Sequence, residues 1–381
     1  MRLRHDHAIL ILTLVLLVVG IGVLFSASHE KARVETGDGF RYVKRQLGNA
    51  GLGIVVLLIV SQIDYRCWRR VARLGLLFAL IGLGILFLFA KVRGAHNWVP
   101  LPGSRSLQPV EFVRLALVFF LAAEIVRAGP RLSTFRSGFL PLVGSVGVVV
   151  LLVLKQNDFG SAMALCLISL TLLFAGGVRW RHLVGSAAAL LGGAVLLALG
   201  RPHVRERIVA FLHPAEHATD VAYQSLQSVV SIGSGGPVGK GLGHGIFKFG
   251  YVPDPHTDFI FSVMGEELGF VGCAVVLLLF LLLVARAIRV ARAHEDPFAQ
   301  LVALGFGISI FWYVVVNVMV ATRMFPVTGL PLPFVSYGGS ALVSHLFAIG
   351  VLRNIARQAE PAAQRRGRWP ARARHALEGV L

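Results

Sequence analysis

Long apolar runs follow one another along the whole chain, and they limit its fold more than any other feature. Ten of them are long enough to cross about 30 Å of hydrocarbon as helices. They cover residues 8–28, 46–63, 71–90, 111–127, 138–155, 159–177, 182–199, 259–285, 301–321 and 337–353. Because 56% of the 381 residues are hydrophobic and only 15% are charged, a soluble domain is excluded. The sequence predicts an all-α integral membrane protein with about ten transmembrane helices.

Arginine residues cluster at alternate ends of these runs and predict how the chain lies in the membrane. The clusters fall within residues 2–4, 66–73, 127–136, 179–181, 286–292 and 353–374. Basic loops favour the cytoplasmic side, so both termini are predicted to be cytoplasmic, although basic residues between 31 and 45 weaken the pattern locally. The same rule explains the net charge of +18, and we expect no nucleic-acid partner.

The chain is predicted to form one membrane domain, residues 1–357, with one large external loop at 200–257 between the seventh and eighth spans. The first run lacks a convincing cleavage site and is predicted to be a retained helix rather than a signal peptide. Residues 358–381 form a basic tail that is predicted to be disordered and attracted to lipid. The three widely spaced cysteines, Cys67, Cys166 and Cys273, indicate neither a disulfide framework nor a cysteine metal site.

The stretch Pro253–Gly269 ends the longest polar segment and opens an apolar helix, which places Asp258 at the outer mouth of the membrane. Thr257 or Asp258 is expected to cap that helix. Acidic groups deeper in the helix need partners or a wet cavity. Glu266 and Glu267 are adjacent and diverge by about 100°, so we expect them not to face one site and one of them to pair with a buried base.

A glycine-rich run, Ser231–Gly245, looks like a phosphate cradle but is not a P-loop. Ser234 stands where the first glycine is required, and Gly241 follows Lys240 where Ser or Thr is required. Two interpretations stay open. The run is a compact turn-rich loop, or its backbone N–H groups and Lys240 grip an anionic head group outside the bilayer.

Three more groups are candidates for chemistry or for structure alone. Glu111 suits the first turn of a helix, and Arg114 can pair with it while pointing inward. Asp158 follows a tight external turn and is either a plain helix cap or a ligand. The segment 326–340, rich in proline and glycine, either packs helices closely or lines a cavity. His256 is a loop residue that could tune Asp258, and the histidine spacing predicts no zinc site.

Six motifs, in order along the chain, carry a resemblance to one family. They are residues 42–46 (Tyr-Val-Lys-Arg-Gln), 108–111, 156–162, 233–243, 256–269 and 326–340. From Ala8 to Arg357 the chain resembles the SEDS proteins, the RodA and FtsW group of bacterial cell-wall polymerases. Four positions depart from the usual pattern: Val110 replaces Ser, Arg114 replaces Lys, Asn157 replaces Pro, and Arg323 replaces a small residue. These departures bear on fine specificity more than on activity, because the acidic residue of the His-Thr-Asp-Phe-Ile-Phe motif is kept.

The resemblance implies a peptidoglycan glycosyltransferase that joins lipid II units into β-1,4 glycan strands on the outer face of the cytoplasmic membrane. The family's essential aspartate falls on Asp258, which is expected to be the general base toward the acceptor 4-hydroxyl. Such assistance typically contributes about 10²- to 10⁴-fold. An α-linked donor becomes a β-linked product, so inversion is expected, with one base and no covalent sugar intermediate. Undecaprenyl pyrophosphate is the leaving group.

The resemblance also implies binding residues and partners. The candidate substrate-binding residues are Lys240, Arg45, Glu111, Arg114, Asp158, His256 and Ser336. The leaving pyrophosphate needs cationic stabilisation from Lys240, Arg45, the amides of the glycine-rich loop or a divalent cation such as Mg²⁺ or Mn²⁺, and these alternatives stay open. The expected partners are lipid II, membrane lipids and a class B penicillin-binding protein that acts as transpeptidase.

Two other functions remain as alternatives. A lipid II flippase would use Glu111, Arg114, Asp158 and Glu266 to line a head-group path, although no inverted repeat supports a transporter. A scaffold that only recruits other wall enzymes has little reason to hold acids and bases at the external face. The motifs do not separate an elongation-type member from a division-type member.

Overall fold

The computed structural model of the chain describes residues 5–88, 97–101, 105–200, 202–213, 222–249 and 255–359. In this part of the chain α-helices dominate, as predicted. The helices are α1 (His5–Thr36), α2 (Arg41–Val60), α3 (Tyr65–Ile85), α4 (Val110–Ala128), α5 (Leu140–Lys155), α6 (Phe159–Ala175), α7 (Trp180–Gly200), α8 (Pro202–Leu212), α9 (Tyr223–Ser234), α10 (Ile260–Ala293), α11 (Pro297–Ala321) and α12 (Gly339–Gln358). Short helical turns cover Leu86–Leu88, Gly129–Ser133 and Phe135–Phe139.

The predicted fold class is confirmed, because each of the ten apolar runs overlaps one of the helices α1–α7 and α10–α12. Among the described residues, seven helices are both long and apolar enough to cross a membrane, and α6 is a shorter apolar helix. A multi-pass membrane protein follows from these helices. The number of ten spans stays a prediction.

Structure that hydropathy did not reveal lies in the polar segments. Two strands, β1 (Val99–Leu101) and β2 (Arg105–Leu107), pair antiparallel, with Val99 opposite Leu107. The predicted external loop contains α8 and α9. Helix α9 buries polar side chains instead of apolar ones, and Ser228 Oγ donates to Ala321 O at 2.6 Å. Such a helix carries no apolar run in the sequence. The middle of that loop and the predicted basic tail lie outside the described residues.

Helices α11 and α12 form the centre of the bundle. In their most apolar stretches 67% and 78% of residues are buried, against 22% in α3 at the periphery. Helix α2 packs on α12, α10 packs on α11, and α1 packs on α10. The contact between α2 and α12 is close because a Cβ on Gly350 would lie 2.8 Å from Leu57 O. The site described below is built at one end of these central helices.

Candidate active site at the start of helix α10

Asp258 lies in the turn that precedes α10, and it is partly buried. The helix begins at Ile260, its N-cap residue is Phe259, and no side chain caps it. The prediction that Thr257 or Asp258 caps this helix is therefore wrong. Both residues stand before the N-cap, where the chain is still turning.

The main chain around Asp258 is held by hydrogen bonds from distant parts of the sequence. Three consecutive carbonyl oxygens before α10 each accept one. The donors are Tyr337 N to His256 O at 2.9 Å, Ser336 Oγ to Thr257 O at 2.7 Å and Asn317 Nδ2 to Asp258 O at 3.0 Å. Segment 326–338 and α11 thus fix the position from which the Asp258 side chain extends.

Gly329, in segment 326–338, passes close to the Asp258 carboxylate. A Cβ at this glycine would lie 3.7 Å from Asp258 Oδ2, and its φ of +76° is one that side chains rarely adopt. The preceding residue, Thr328, contacts the start of α6, where a Cβ on Gly160 would overlap Thr328 O. The proline-rich segment therefore lies against both Asp258 and the beginning of α6.

Asp158 is the N-cap of α6, as the cap interpretation predicted. Its Oδ1 accepts from Ser161 N at 3.0 Å, and its Oδ2 accepts from Asn97 Nδ2 and Gln108 Nε2, each at 3.3 Å. The side chain is 7% exposed. These bonds bring together residues from three separate parts of the chain. The role of Asp158 in substrate binding stays a prediction.

Ser336 is buried and uses its hydroxyl within the protein. Its Oγ donates to Thr257 O and accepts from Leu332 N at 2.8 Å, while its carbonyl accepts from Gln46 Nε2 at 3.1 Å. Gln46 on α2 thereby ties segment 326–338 to a second helix. The predicted contact between Ser336 and substrate would require the hydroxyl to leave these partners.

The first turns of α2 add aromatic and basic side chains beside this turn. The His256 ring is 4.6 Å from the Tyr42 ring and 5.8 Å from the Tyr337 ring, measured between centroids. Arg45 follows Tyr42 on α2 and is partly buried. Lys44 binds Asp38 at 2.9 Å, and this hydrogen bond lowers the pKa of Asp38. His256 thus belongs to the neighbourhood of Asp258, and Arg45 lies three residues after its ring partner Tyr42. The contact of both residues with substrate stays a prediction.

Glu111 and Arg114 form an ion pair inside the bundle, with 3.1 Å between Oε2 and NH2 and both side chains 1% exposed. The predicted pairing and the inward direction are confirmed. Further hydrogen bonds surround the pair: Tyr313 to Glu111 at 3.1 Å, Ser344 to Glu111 at 3.1 Å, Arg114 to Ser344 at 2.8 Å, and Arg114 to Ser309. The pair joins α4 to α11 and α12. Substrate would not reach either side chain in this conformation.

The loop after α9, residues 235–248, contains most of the glycine-rich run and is called the glycine-rich loop. It binds carboxylates of the chain itself. Lys240 Nζ lies 2.8 Å from Glu266 Oε1, and Lys248 Nζ lies 2.7 Å from Glu267 Oε1. The amides of residues 245–247 donate to the same two carboxylates. Our expectation that Glu266 and Glu267 face different sites is therefore wrong. The loop does hold anions with its amides and Lys240, as one interpretation had it, but these anions are internal.

Helix α10 is interrupted at Gly269, which has φ 68° and ψ −171°, and the same loop fills the interruption. The loop donates from Lys240 N to Glu266 O at 3.0 Å and from Gly241 N to Glu267 O at 2.9 Å. It accepts from Phe270 N at Gly236 O and from Val271 N at Pro237 O, each at 2.9 Å. Main-chain groups that the break would leave without partners are thus satisfied.

Comparison with known proteins identifies the family. A family profile described as cell cycle protein, FtsW/RodA/SpoVE, matches residues 6–361. The chain belongs to the FtsW/RodA/SpoVE family. A probable peptidoglycan glycosyltransferase FtsW of Trichlorobacter lovleyi is 41% identical over 356 residues, which cover 92% of this chain and 93% of the relative. The resemblance inferred from six motifs is therefore confirmed over nearly the whole length.

Two solved structures share the fold of this FtsW/RodA/SpoVE member. One is a chain of a peptidoglycan synthase complex that coordinates polymerization and crosslinking, with a TM-score of 0.78 and 29% identity over 94% of this chain and 99% of that one. The other is the rod shape determining protein RodA of Thermus thermophilus, with a TM-score of 0.69 and 27% identity over 94% and 99%.

A metal site has no support in the side chains of this FtsW/RodA/SpoVE member that the structure describes. Across these residues no three His, Cys, Asp or Glu side chains are grouped so that they could hold a metal ion. Asp258 and Asp158 supply carboxylates, and Mg²⁺ is commonly bound by one or two carboxylates together with water and substrate phosphates.

Sequence reasoning missed Asn317, whose amide holds the main chain at Asp258. It also missed that Gln46, although part of a matched motif, binds segment 326–338. Each is an amide on a helix that is otherwise largely apolar. A lone amide in a membrane span is a usable signal, because burying it without hydrogen bonds is costly. The sequence does not, however, reveal which main-chain groups it binds.

Proposed function

We propose that Asp258 is the general base of this enzyme, a peptidoglycan glycosyltransferase of the FtsW/RodA/SpoVE family that acts in cell division or elongation. The observation that carries the proposal is the setting of Asp258. Asp258 is partly exposed in the turn before α10, while α11 and segment 326–338 donate hydrogen bonds to the main chain of that turn. A base held in this way meets the requirement of fixed geometry with access for substrate.

The proposed reaction joins two lipid II units. The Asp258 carboxylate accepts the proton of the acceptor GlcNAc 4-hydroxyl as the oxygen of that hydroxyl attacks the anomeric carbon of the donor. The new C–O bond forms on the face opposite the breaking bond to phosphate, so the α-linked donor gives a β-1,4 product. Undecaprenyl pyrophosphate leaves with the bonding electrons. The protonated Asp258 then returns its proton to water.

The second requirement of this reaction is stabilisation of the negative charge on the leaving pyrophosphate. His256 belongs to the turn that carries Asp258, and Asp158 and Ser336 lie on the segments packed around it. Arg45 lies on α2, three residues after Tyr42, whose ring contacts His256. We propose Arg45 for the pyrophosphate. Lys240 already neutralises Glu266 at 2.8 Å, so its use would require the glycine-rich loop to change. A divalent cation brought with the substrate is a further proposal.

The protein is a multi-pass inner-membrane protein, and we propose that both termini are cytoplasmic, so that Asp258 faces outward. Residues 1–357 would form the membrane domain, with the external loop at 200–257 and a basic tail at 358–381. The relative in the peptidoglycan synthase complex supports a partner that crosslinks glycan strands. We propose a class B penicillin-binding protein for this role.

The flippase alternative is not proposed. Of the residues assigned to its head-group path, Glu111, Arg114 and Glu266 are at most 1% exposed and bind donors or acceptors of the chain itself. A path lined by these residues would require two ion pairs, Glu111–Arg114 and Lys240–Glu266, to separate, which is costly.

Purified protein in liposomes that contain lipid II and no other enzyme tests the proposed function. Glycan strands are expected, detected as polymer after separation from the lipid. Movement of lipid II between leaflets without any polymer would contradict the proposal and would favour a flippase. Absence of both activities, with the crosslinking partner also supplied, would contradict a catalytic role and favour a scaffold.

A further inference from the structure

We infer that Asn317 is a positioning residue for Asp258, an inference that rests on the proposed role of Asp258 as the base. Asn317 lies near the end of α11 and is 1% exposed. We assign no chemical step to the Asn317 side chain. It acts on the main chain that carries the base.

The Asn317 amide joins two segments that have no regular secondary structure of their own. Nδ2 donates to Asp258 O at 3.0 Å and to Leu330 O at 2.8 Å, so both of its hydrogens are used. Leu330 follows Gly329, the residue that passes beside the Asp258 carboxylate. Among the bonds that hold this turn, those of Asn317 act on the carbonyl of Asp258 itself and on the residue next to Gly329.

The burial of Asn317 supports a positioning role for its amide. Its Oδ1 is buried and accepts no hydrogen bond in the part of the chain that the structure describes. A buried amide oxygen of this kind costs free energy, which Leu or Val at the same place in an apolar helix would avoid. The two hydrogen bonds made by Nδ2 are what the asparagine supplies in return. They hold the turn and the segment, both of which line the proposed site.

Positioning of this kind affects turnover more than binding. The two carbonyls that Asn317 holds belong to the base and to its flanking segment, so its loss acts first on the geometry of the base. Loss of the amide would free Asp258 O and Leu330 O, while the bonds from Ser336 and Tyr337 to the preceding two carbonyls remain. We therefore expect a local shift of Asp258 relative to Gly329 and not a separation of the turn from segment 326–338. A displacement of about 1 Å at a reacting group is enough to cost on the order of 10²-fold in rate.

Asn354 provides a matched control at the opposite end of the bundle. It is also buried in a central helix, its Nδ2 donates to Ser61 O at 3.1 Å, and its Oδ1 accepts from Tyr65 N at 3.1 Å. It clamps the connection between α2 and α3, and nothing ties it to Asp258. Its replacement should therefore weaken the fold without altering the base.

The test compares Asn317→Leu, Asn354→Leu, Asp258→Asn and the unchanged protein in polymerisation of lipid II, with thermal unfolding measured in parallel. For Asn317→Leu we expect kcat to fall about 10- to 100-fold while KM changes by less than about 3-fold. For Asn354→Leu we expect a comparable loss of Tm and a kcat within about 3-fold of the unchanged protein. If Asn317→Leu does not fold, Asn317→Ser replaces it, since its hydroxyl can serve only one of the two carbonyls.

The results for kcat distinguish failure of the inference on Asn317 from failure of the proposed role of Asp258. An unchanged kcat in Asn317→Leu, or in the Ser variant if that is the one used, overturns the inference. Equal losses of kcat in the Asn317 and Asn354 variants also overturn it, because they would reflect stability alone. If Asp258→Asn keeps full activity, the proposed function of Asp258 fails instead, whatever the Asn317 variants do.

Discussion

At the scale of single residues, the account depends on how closely other groups approach the Asp258 carboxylate. On the proline-rich segment, a Cβ at Gly329 would lie 3.7 Å from Asp258 Oδ2, and the φ of +76° suits glycine. Gly37, between α1 and α2, has a nearly equal φ of +74°, and a Cβ there would meet nothing within 4 Å. The two glycines share a backbone conformation but not a neighbour.

Replacing each of these two glycines with alanine should separate the effect of backbone strain on stability from the effect of a methyl group on catalysis. Each replacement should cost about 1–2 kcal/mol, because an L-residue is strained at this φ. Only Gly329→Ala should also lower the rate of lipid II polymerisation, since its methyl group would contact Asp258 Oδ2. Thermal unfolding and polymerisation rates of both variants provide the measurement. Equal activity in the two variants would contradict the placement of Gly329 beside the base.

The second prediction at this scale concerns the contribution of the buried pair Glu111–Arg114 to stability. Arg114→Met leaves the Glu111 carboxylate buried without its cation, and we expect a loss of about 3–5 kcal/mol in stability. Arg66→Met removes a pair with Asp64 in which the side chains are 58% and 45% exposed, and it should cost less than about 1 kcal/mol. Denaturation in detergent measures both. A small loss for Arg114→Met would argue for a role in substrate binding instead.

At the scale of elements, the break in α10 and the loop that fills it form one unit. The loop supplies both donors and acceptors to the two halves of the helix, and its two lysines bind Glu266 and Glu267. A Cβ on Gly269 would overlap the backbone of Gly239. The chain therefore requires glycine at the break.

Gly269→Ala should release the loop from the helix. We expect faster hydrogen exchange at the amides of Lys240, Gly241, Phe270 and Val271, which bond across the break. Gly233→Ala in α9 is the control, because a Cβ there meets nothing within 4 Å and alanine favours a helix by about 1 kcal/mol. Unchanged protection in Gly269→Ala would mean that the loop does not depend on the break.

The sequence predicted the helices of the bundle well because apolar runs of this length leave few alternatives in a membrane. It did not predict α9 or the β1–β2 hairpin, because neither carries an apolar run. At the site, Asp258, His256 and Ser336 were found through a matched motif. Asn317 was not, because its two acceptors lie 59 and 13 residues away and only the fold brings them to it.

At the scale of the whole molecule, orientation decides whether Asp258 meets substrate outside the cell. Helix α2 separates the end of α1 from the start of α3, so residues 34 and 67 should lie on opposite sides. Val34 is 79% exposed, and Cys67 is the exposed cysteine of the three. Arg66, Arg69 and Arg70 around Cys67 favour the cytoplasmic side for that end. Lys31 and Arg33 beside Val34 weaken the rule at the other end, although Glu30 and Glu35 partly offset their charge.

Labelling with a membrane-impermeant maleimide tests this orientation. In intact spheroplasts a Val34→Cys variant should react, whereas Cys67 of the unchanged protein should react only after lysis. Cys273 is buried and Cys166 is partly buried, so they should contribute little in either case. Reaction of Cys67 in intact spheroplasts would reverse the topology and place Asp258 on the inner side.

The central claim concerns one carboxylate, and Asp258→Asn tests it most directly because the side chain keeps its shape and loses only its basicity. The measurement is the amount of glycan formed by the purified variant at a lipid II concentration where binding is shown to equal that of the unchanged protein. We predict that glycan formation falls by at least about 10²-fold while binding and Tm are kept. Glycan formation at the original rate by this folded, lipid II-binding variant would contradict the account.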